Sequence, residues 1–250
     1  ALVREAGFRC AVASNGSLLS EDKSRRLLDA GIQEIDLNVG EQGEEYERIY
    51  GLPFDRTLEN VIRFAEMADG RCQVNIVLVD HREDAAHRET MMEFWRSHGL
   101  DDFVVFPLIN RGGSLAVERM RYDDAAMIAG ARALVAGEID RPICMGPFVF
   151  LFVGYDGHHY LCCSDWKKEV TLGTVFDKSF VDVLGPKLDA VRTRANVCHS
   201  CSLDPTNALV DLMRQQDAGT IEQPWFDARV RTTVSDTREV ETIIDSLSPG

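Results

Sequence analysis

Between residues 8 and 110 the sequence repeats one pattern: a short apolar run, a turn, an amphipathic segment and often a glycine before the next apolar run. Such a pair of segments is typical of a strand followed by a helix, and strands that alternate with helices form parallel sheets. Parallel strands must be covered by helices on both faces or close into a barrel. The repeat therefore predicts an α/β fold. We predict strands over residues 8–13, 34–39, 73–79 and 103–108.

Capping residues and glycines mark the helices between these strands. Ser20 can accept hydrogen bonds from free backbone N–H groups, and Glu21 and Asp22 favour the positive end of a helix dipole. Gly31 is expected to end this first helix. Further helices are predicted over residues 57–69, 83–98 and 123–136.

Asparagine and glycine residues follow the predicted strands at their carboxyl ends. Parallel α/β folds carry their chemistry at these ends, because all strands finish at one edge of the sheet or barrel. Turns also require Asn and Gly, so ordinary loop structure explains each motif when it is taken singly. The motifs are Ser14-Asn15-Gly16, Asn38-Val39-Gly40, Asp80-His81 and Asn110-Arg111-Gly112-Gly113.

The seven cysteines are unevenly distributed, since all except Cys10 and Cys72 lie between residues 144 and 201. An odd number leaves one unpaired, and a chain of this length needs no disulfides to fold. A reducing, cytoplasmic environment therefore fits best, and we expect metal ligation rather than disulfide formation.

The segment around these cysteines is predicted to begin with a hairpin. Asp156-Gly157 tolerates the positive φ angles of a tight turn and is flanked by apolar runs over residues 148–153 and 158–162. A helix over residues 180–194 then leads to a CxxC pair. The remaining chain is predicted to be helical over residues 207–216 and only weakly patterned from residue 230.

Four thiolates can be offered to one metal centre by Cys144, by the hairpin strand and by Cys198 and Cys201 of the CxxC pair. Cys162 and Cys163 should point to opposite faces of an extended strand, so we expect only one of them to be a ligand. Spacing alone leaves open whether the centre is zinc or an iron–sulfur cluster, since both accept four thiolates. Plain buried thiols are the alternative.

Charge and hydropathy exclude two classes of partner. The 27 Lys and Arg residues stand against 41 Asp and Glu residues, and a net charge of -14 would repel the phosphates of nucleic acid. The longest apolar run, residues 148–153, is far shorter than the roughly 20 residues of a membrane-spanning helix. We therefore expect neither nucleic acid nor a membrane as a partner.

From residue 2 to residue 201 the chain resembles radical S-adenosylmethionine enzymes with a C-terminal SPASM or twitch domain. The order Cys144, Gly157-x4-Cys162 and Cys198-x2-Cys201 is similar to the family's lone Cys, G-x4-C and CxxC, which bind an auxiliary 4Fe–4S cluster. The resemblance implies that Cys144, Cys162, Cys198 and Cys201 are its ligands. With no cysteine after Cys201, the shorter twitch form is the better match.

The first half resembles the partial (β/α) barrel of this family. Ser14-Asn15-Gly16 stands where Thr-Asn-Gly usually follows the third strand, and Asn38 occupies the polar fourth-strand position that contacts the ribose of S-adenosylmethionine. Asn110 and Arg111 resemble the end of the sixth strand. The resemblance thus implies that Asn15, Asn38, Asn110 and Arg111 bind the cofactor.

The family's CxxxCxxC loop and Gly-Gly-Glu-like segment have no counterpart in these residues. We therefore expect an N-terminally truncated radical SAM barrel, whose complete protein binds S-adenosylmethionine and a second 4Fe–4S cluster. The resemblance implies a partial barrel over residues 1–140, a SPASM/twitch-like domain over 141–205, and a C-terminal helix with a weakly ordered tail over 206–250.

Two functions follow as hypotheses. The first is a radical enzyme that uses a 5'-deoxyadenosyl radical on a small-molecule or peptide substrate, with the auxiliary cluster assisting oxidation or binding and flavodoxin or ferredoxin as electron donor. By itself, this chain would then be inactive. The second is a non-catalytic module in which zinc or a cluster serves only to fold the C-terminal region.

Overall fold

A computed structural model of the protein describes residues 2–247, and the chain forms two compact units that divide between Leu108 and Ile109. The two units do not test the predicted domain boundaries at residues 140 and 205, which stay predictions. No helix among residues 2–247 is both long and apolar enough to cross a membrane.

The first unit contains a four-stranded parallel sheet in the order β1-β2-β3-β4. This confirms the predicted α/β fold with four parallel strands. The first strand begins at Ala11, later than the expected Phe8. Phe8 lies outside the sheet and is largely exposed. The strands are β1 (Ala11–Ser14), β2 (Glu34–Asn38), β3 (Gln73–Asp80) and β4 (Phe103–Pro107).

Helices connect the strands of the first unit as the sequence pattern predicts. Ser20 caps α2 by accepting a hydrogen bond from the Lys23 N–H, and the Asp84 carboxylate caps α5. One further helix, α3, was not predicted, because it is only eight residues long and Gln42 before it provides no side-chain cap. The helices are α1 (Leu2–Glu5), α2 (Glu21–Asp29), α3 (Gly43–Tyr50), α4 (Phe54–Ala68) and α5 (Ala85–Arg96).

The core of the first unit lies between the sheet and these helices. Ile35, Leu37 and Ile76 of the central strands are fully buried against Phe64 of α4 and Trp95 of α5. The Trp95 indole N–H donates to the carbonyl oxygen of Val39 at 3.3 Å, so its polar atom is satisfied inside the core. This packing fixes the carboxyl ends of β2 and β3.

The second unit combines helices with a small antiparallel sheet in the order β5-β6-β7. Its strands are β5 (Phe152–Val153), β6 (His158–Tyr160) and β7 (Thr171–Thr174). Its α-helices are α6 (Ala125–Val135), α7 (Gly146–Val149), α8 (Leu184–Arg192), α9 (Asn196–Ser200), α10 (Pro205–Asp217) and α11 (Gln223–Leu247).

The predicted hairpin is present around Asp156-Gly157, but its first strand is shorter than expected. Residues 148 and 149 belong to α7, which Pro147 favours because its fixed φ suits the first turn of a helix. The second strand is joined by β7, which the sequence pattern did not predict. The Asp165 carboxylate orders the loop before β7 by accepting hydrogen bonds from the N–H groups of Glu169 and Val170 at 2.8 and 2.9 Å.

The prediction of a weakly ordered tail is wrong for residues 230–247, which belong to α11. Phe226, Val234, Val240 and Ile244 are buried along this helix, and the stripe is interrupted by Thr237. Thr237 is itself fully buried and accepts a hydrogen bond from the Ile143 N–H at 3.1 Å. A polar residue therefore packs on the buried face of this helix. Residues 248–250 of the predicted tail lie outside the described residues.

Candidate metal centre

Five cysteines of the second unit line one cavity. Cys144 precedes α7, Cys162 and Cys163 follow β6, Cys198 lies in α9, and Cys201 follows that helix. Three separate chain segments therefore bring their sulfurs to one place. The rest of the lining is mostly apolar and includes Pro147, Leu161, Val191, Val197 and Leu203.

Burial makes three of these thiols, those of Cys144, Cys162 and Cys198, hold their protons strongly. It raises the pKa of Cys144 to about 12 and that of Cys162 to about 11, and it also raises the pKa of Cys198. The neighbouring sulfurs add to this, because a second thiolate nearby disfavours the first. A bound metal must displace these protons, and its positive charge relieves the repulsion between thiolates.

Backbone N–H groups face several of the sulfurs. The Gly146 N–H faces Cys144 and the N–H groups of Ser164 and Asp165 face Cys162, and each lowers the pKa of the thiol that it faces. The Leu203 N–H donates to Cys201 Sγ at 3.4 Å. Hydrogen bonds to sulfur stabilise thiolate and are one of the means by which proteins tune iron–sulfur clusters.

Cys162 and Cys163 differ in their surroundings. Cys162 is partly buried and receives two backbone N–H groups, whereas Cys163 is exposed, although both line the cavity. These observations favour Cys162 as the fourth ligand. Cys10 and Cys72 belong to the first unit, where both pack with the hydrophobic core.

The chemistry of the donor set fits a 4Fe–4S cluster. Within residues 2–247, no group of three or more His, Cys, Asp or Glu side chains is arranged to hold one metal ion. In a 4Fe–4S cluster with four cysteine ligands each thiolate binds a different iron, so the sulfurs lie further apart. Thiolates in an apolar cavity with N–H donors are the chemistry that such a cluster needs.

The CxxC loop is held by a buried polar network that sequence reasoning missed. The Asn207 side-chain amide donates to the carbonyl oxygens of Cys198, His199 and Cys201 at 3.1, 3.1 and 2.9 Å. Asn207 lies on α10 and is fully buried. A hydrophilic residue in a helical pattern gives no sign of this role, although Asp204-Pro205 does mark a helix start.

Arg194 and Asp204 complete this network. The Arg194 guanidinium donates to the Asp204 carboxylate at 3.0 Å and to the Asn207 side-chain oxygen at 3.0 Å. Burial raises the pKa of Asp204 against the lowering effect of Arg194. Asp204 also caps α10 by accepting from the N–H groups of Thr206 and Asn207. The network thus joins the CxxC loop to the next helix.

Asn110 supports the same loop from another segment. Its side-chain N–H2 donates to the carbonyl oxygens of Met120 and Ser200 at 3.2 and 2.5 Å, and its side-chain oxygen accepts from the Ser202 N–H at 2.9 Å. Asn110 is buried. These bonds give it a structural role in the second unit, and its predicted cofactor contact stays a prediction.

The residues after Asn110 also pack close to the cysteines. A Cβ at Gly112 would lie 2.7 Å from the Ser164 carbonyl oxygen, and one at Gly113 would lie 2.7 Å from Ser200 Cβ. Both glycines have positive φ angles. The Arg111 guanidinium lies 4.1 Å from the centre of the Trp166 ring and makes a cation–π contact with it.

The other two predicted cofactor residues lie at the carboxyl end of the first unit's sheet. The Asn15 side-chain oxygen accepts from the N–H and the hydroxyl of Ser17 at 3.1 and 2.9 Å, which forms a local turn. The Asn38 side-chain oxygen accepts from the Tyr50 hydroxyl at 3.1 Å, so its N–H2 group can donate to a ligand. Tyr50 lies on the unpredicted α3 and was missed for that reason.

Residues 144–202 match the SPASM family, an iron–sulfur cluster-binding domain. No curated protein sequence matches the chain. The fold is similar to that of native anSMEcpe with bound AdoMet, at 12% identity and a TM-score of 0.52 over 90% of this chain and 75% of that one. It is also similar to native anSMEcpe with bound AdoMet and Kp18Cys peptide, at 13% identity and a TM-score of 0.50 over 74% of this chain and 60% of that one.

The chain therefore combines an iron–sulfur SPASM domain with an α/β fold like that of AdoMet-bound proteins. The family match confirms the predicted SPASM domain, and the structural similarity confirms a fold like that of AdoMet-bound anSMEcpe. The cysteines predicted from that resemblance begin and nearly end the matched segment, at residues 144 and 201.

Proposed function

We propose that this chain belongs to a radical S-adenosylmethionine enzyme whose auxiliary 4Fe–4S cluster is held by Cys144, Cys162, Cys198 and Cys201. The observation that carries the proposal is the apolar cavity that these four residues line within the matched SPASM segment. When bound, such a cluster supplies a site for one-electron transfer or for substrate ligation.

The residues of the second unit prepare this site in three ways. Apolar side chains exclude water, backbone N–H groups stabilise the sulfurs, and the Asn110 and Asn207 amides hold the CxxC loop in place. Rigid support matters because a ligand loop that moves would lose the cluster to solvent. In the first unit, Asn38 offers a directed N–H2 group to the ribose of S-adenosylmethionine.

A peptide is the favoured substrate class. A protein of similar fold has been determined with bound AdoMet and the Kp18Cys peptide. The side chains of Lys167 and Lys168 are exposed and lie close in sequence to Cys163 in this strongly acidic chain. An acidic electron carrier such as flavodoxin or ferredoxin would be complementary to these lysines.

The test is anaerobic purification of the protein followed by analysis of iron and acid-labile sulfide and by electron paramagnetic resonance of the reduced sample. We expect iron and sulfide in equal amounts and a reduced-cluster signal that disappears in Cys198→Ala. Stoichiometric zinc without sulfide would reject the cluster and support a structural module. Protein without any metal that is nevertheless folded would reject both.

A further inference from the structure

Lys187 is a fully buried lysine that does not line the cysteine cavity. It lies on α8 with none of its surface exposed. Lysine is rarely buried, because removing an ammonium from water is costly unless another charge compensates it. The position of this side chain therefore needs an explanation.

The direct partners of the Lys187 ammonium are neutral. Its Nζ donates to the carbonyl oxygens of Pro147 at 2.6 Å and of Phe150 at 3.2 Å. No carboxylate among residues 2–247 raises its pKa or pairs with it. Carbonyl oxygens satisfy the N–H groups, but they leave the positive charge uncompensated.

The cysteine cavity lies beside this buried charge. Val191, one helical turn after Lys187 on the same face of α8, lines the cavity, and so does Pro147. Burial lowers the pKa of Lys187, and the Cys162 thiolate acts in the opposite direction. The charged form of the lysine is thus favoured by negative charge on the sulfurs.

We propose that Lys187 is the buried counter-charge of the auxiliary cluster and raises its reduction potential. This inference rests on the proposed cluster site. Four thiolates give an oxidised 4Fe–4S cluster a net negative charge, and reduction adds another electron. A fixed positive charge nearby favours the more negative, reduced state, and the apolar surroundings reduce screening.

The experiment is an anaerobic redox titration of the auxiliary cluster, followed by electron paramagnetic resonance, in four proteins. Lys187→Met removes both the charge and the N–H donors, whereas Lys187→Gln removes the charge and keeps a donor for the carbonyl oxygens. Lys178→Met removes an exposed lysine and is the control. We expect both Lys187 variants to shift the midpoint to more negative potential, and the control to match the unaltered protein.

The outcomes separate this inference from the proposed function. Absence of iron and sulfide from the unaltered protein would reject the cluster itself. A cluster whose potential is unchanged in both Lys187 variants would reject only the role of Lys187. A potential shifted in Lys187→Met and restored in Lys187→Gln would assign the effect to hydrogen bonding and would overturn the charge mechanism.

A measurement on the unaltered protein decides the matter if both Lys187 variants fail to fold. The chain has lysines at positions 23, 167, 168, 178 and 187, so its lysine 13Cε resonances can be resolved by nuclear magnetic resonance. We expect one resonance to broaden on reduction of the cluster and to keep the chemical shift of a charged lysine at neutral pH. A neutral shift, or no broadened signal, would overturn the proposal.

Discussion

Asn110 and Ser202 hold each other through two reciprocal hydrogen bonds: the Asn110 N–H donates to Ser202 Oγ at 3.2 Å, and the Ser202 N–H donates to Asn110 Oδ1 at 2.9 Å. Ser202 directly follows the CxxC pair. The bonds therefore join the first residues of the second unit to the loop that carries Cys198 and Cys201. The side-chain amides of Asn110 and Asn207 therefore both hold this loop.

Replacing Asn207 should loosen the proposed cluster. Asn207→Ala removes one donor from each of three carbonyl oxygens of the CxxC segment. Those of Cys198 and Cys201 keep the N–H groups of Cys201 and Asp204 as donors, so the cost of an unsatisfied buried group, about 1–3 kcal/mol, falls mainly on His199. We expect lower stability in urea unfolding and faster loss of iron to a chelator. Gln215→Ala on the exposed side of α10 is the control and should change neither. Equal iron retention in both variants would contradict the role of Asn207.

Cys162 and Cys163 should differ as ligands. Cys162→Ser removes the partly buried sulfur that faces two backbone N–H groups, whereas Cys163→Ser alters an exposed one. We expect loss of most cluster iron and sulfide in the first variant and retention in the second. The reverse result would transfer the ligand assignment to Cys163 and leave the site in place.

Gly112→Ala should destabilise the second unit. The new methyl group would overlap the Val197 side chain and the Ser164 carbonyl oxygen, and the residue has a φ of +62°. Overpacking and positive φ together cost about 2–4 kcal/mol. Gly185→Ala in α8 is the control, because its new methyl group meets no atom within 4 Å apart from its chain neighbours and its φ is not positive. It precedes Pro186, which opposes the gain in helix propensity, so we expect a much smaller change than for Gly112→Ala. Urea unfolding of both variants measures the difference, and similar values would refute the close packing.

Tyr50→Phe should weaken binding of S-adenosylmethionine if Asn38 contacts its ribose. The change removes the hydroxyl that orients the Asn38 amide but keeps the ring stacked on Tyr46 with a centroid distance of 4.6 Å. We expect affinity to fall about tenfold, equivalent to a hydrogen bond of about 1.4 kcal/mol. Anaerobic equilibrium dialysis measures it, with Tyr155→Phe at an almost fully exposed tyrosine as control. An additive loss in Tyr50→Phe/Asn38→Ala would contradict the coupling.

The 250 residues alone should not cleave S-adenosylmethionine. Four cysteines around one cluster leave no iron open to the cofactor, and Cys10 and Cys72 are too few to replace a three-cysteine loop. After anaerobic reconstitution with excess iron and sulfide, we expect at most one cluster and no 5'-deoxyadenosine by chromatography. Formation of 5'-deoxyadenosine would show that these residues hold a second, catalytic cluster.

Local periodicity determined how much of the fold was predictable. The four parallel strands and the helices α2, α4 and α5 follow from short apolar runs, caps and glycines, because each depends on neighbours in sequence. Helix α3 and strand β7 were not predicted because both are short, with eight and four residues, and α3 has no side-chain cap at its start. Helix α11 was not predicted beyond residue 230 because Thr237 interrupts its apolar stripe. The hydrogen bond that Thr237 accepts from the Ile143 N–H forms only in the folded chain.

The sequence by itself determined the parallel α/β unit and the set of cysteines, since residue spacing encodes both strand–helix alternation and the reach of a CxxC loop. Only the tertiary structure decided which polar residues support those cysteines. Lys187 and Asn207 look like ordinary surface residues in the sequence, and Asn110 was predicted only as a cofactor contact, yet all three are buried. The reason is physical: their hydrogen-bond partners are backbone carbonyl oxygens, which every residue type carries, so no sequence pattern marks where such a partner will lie.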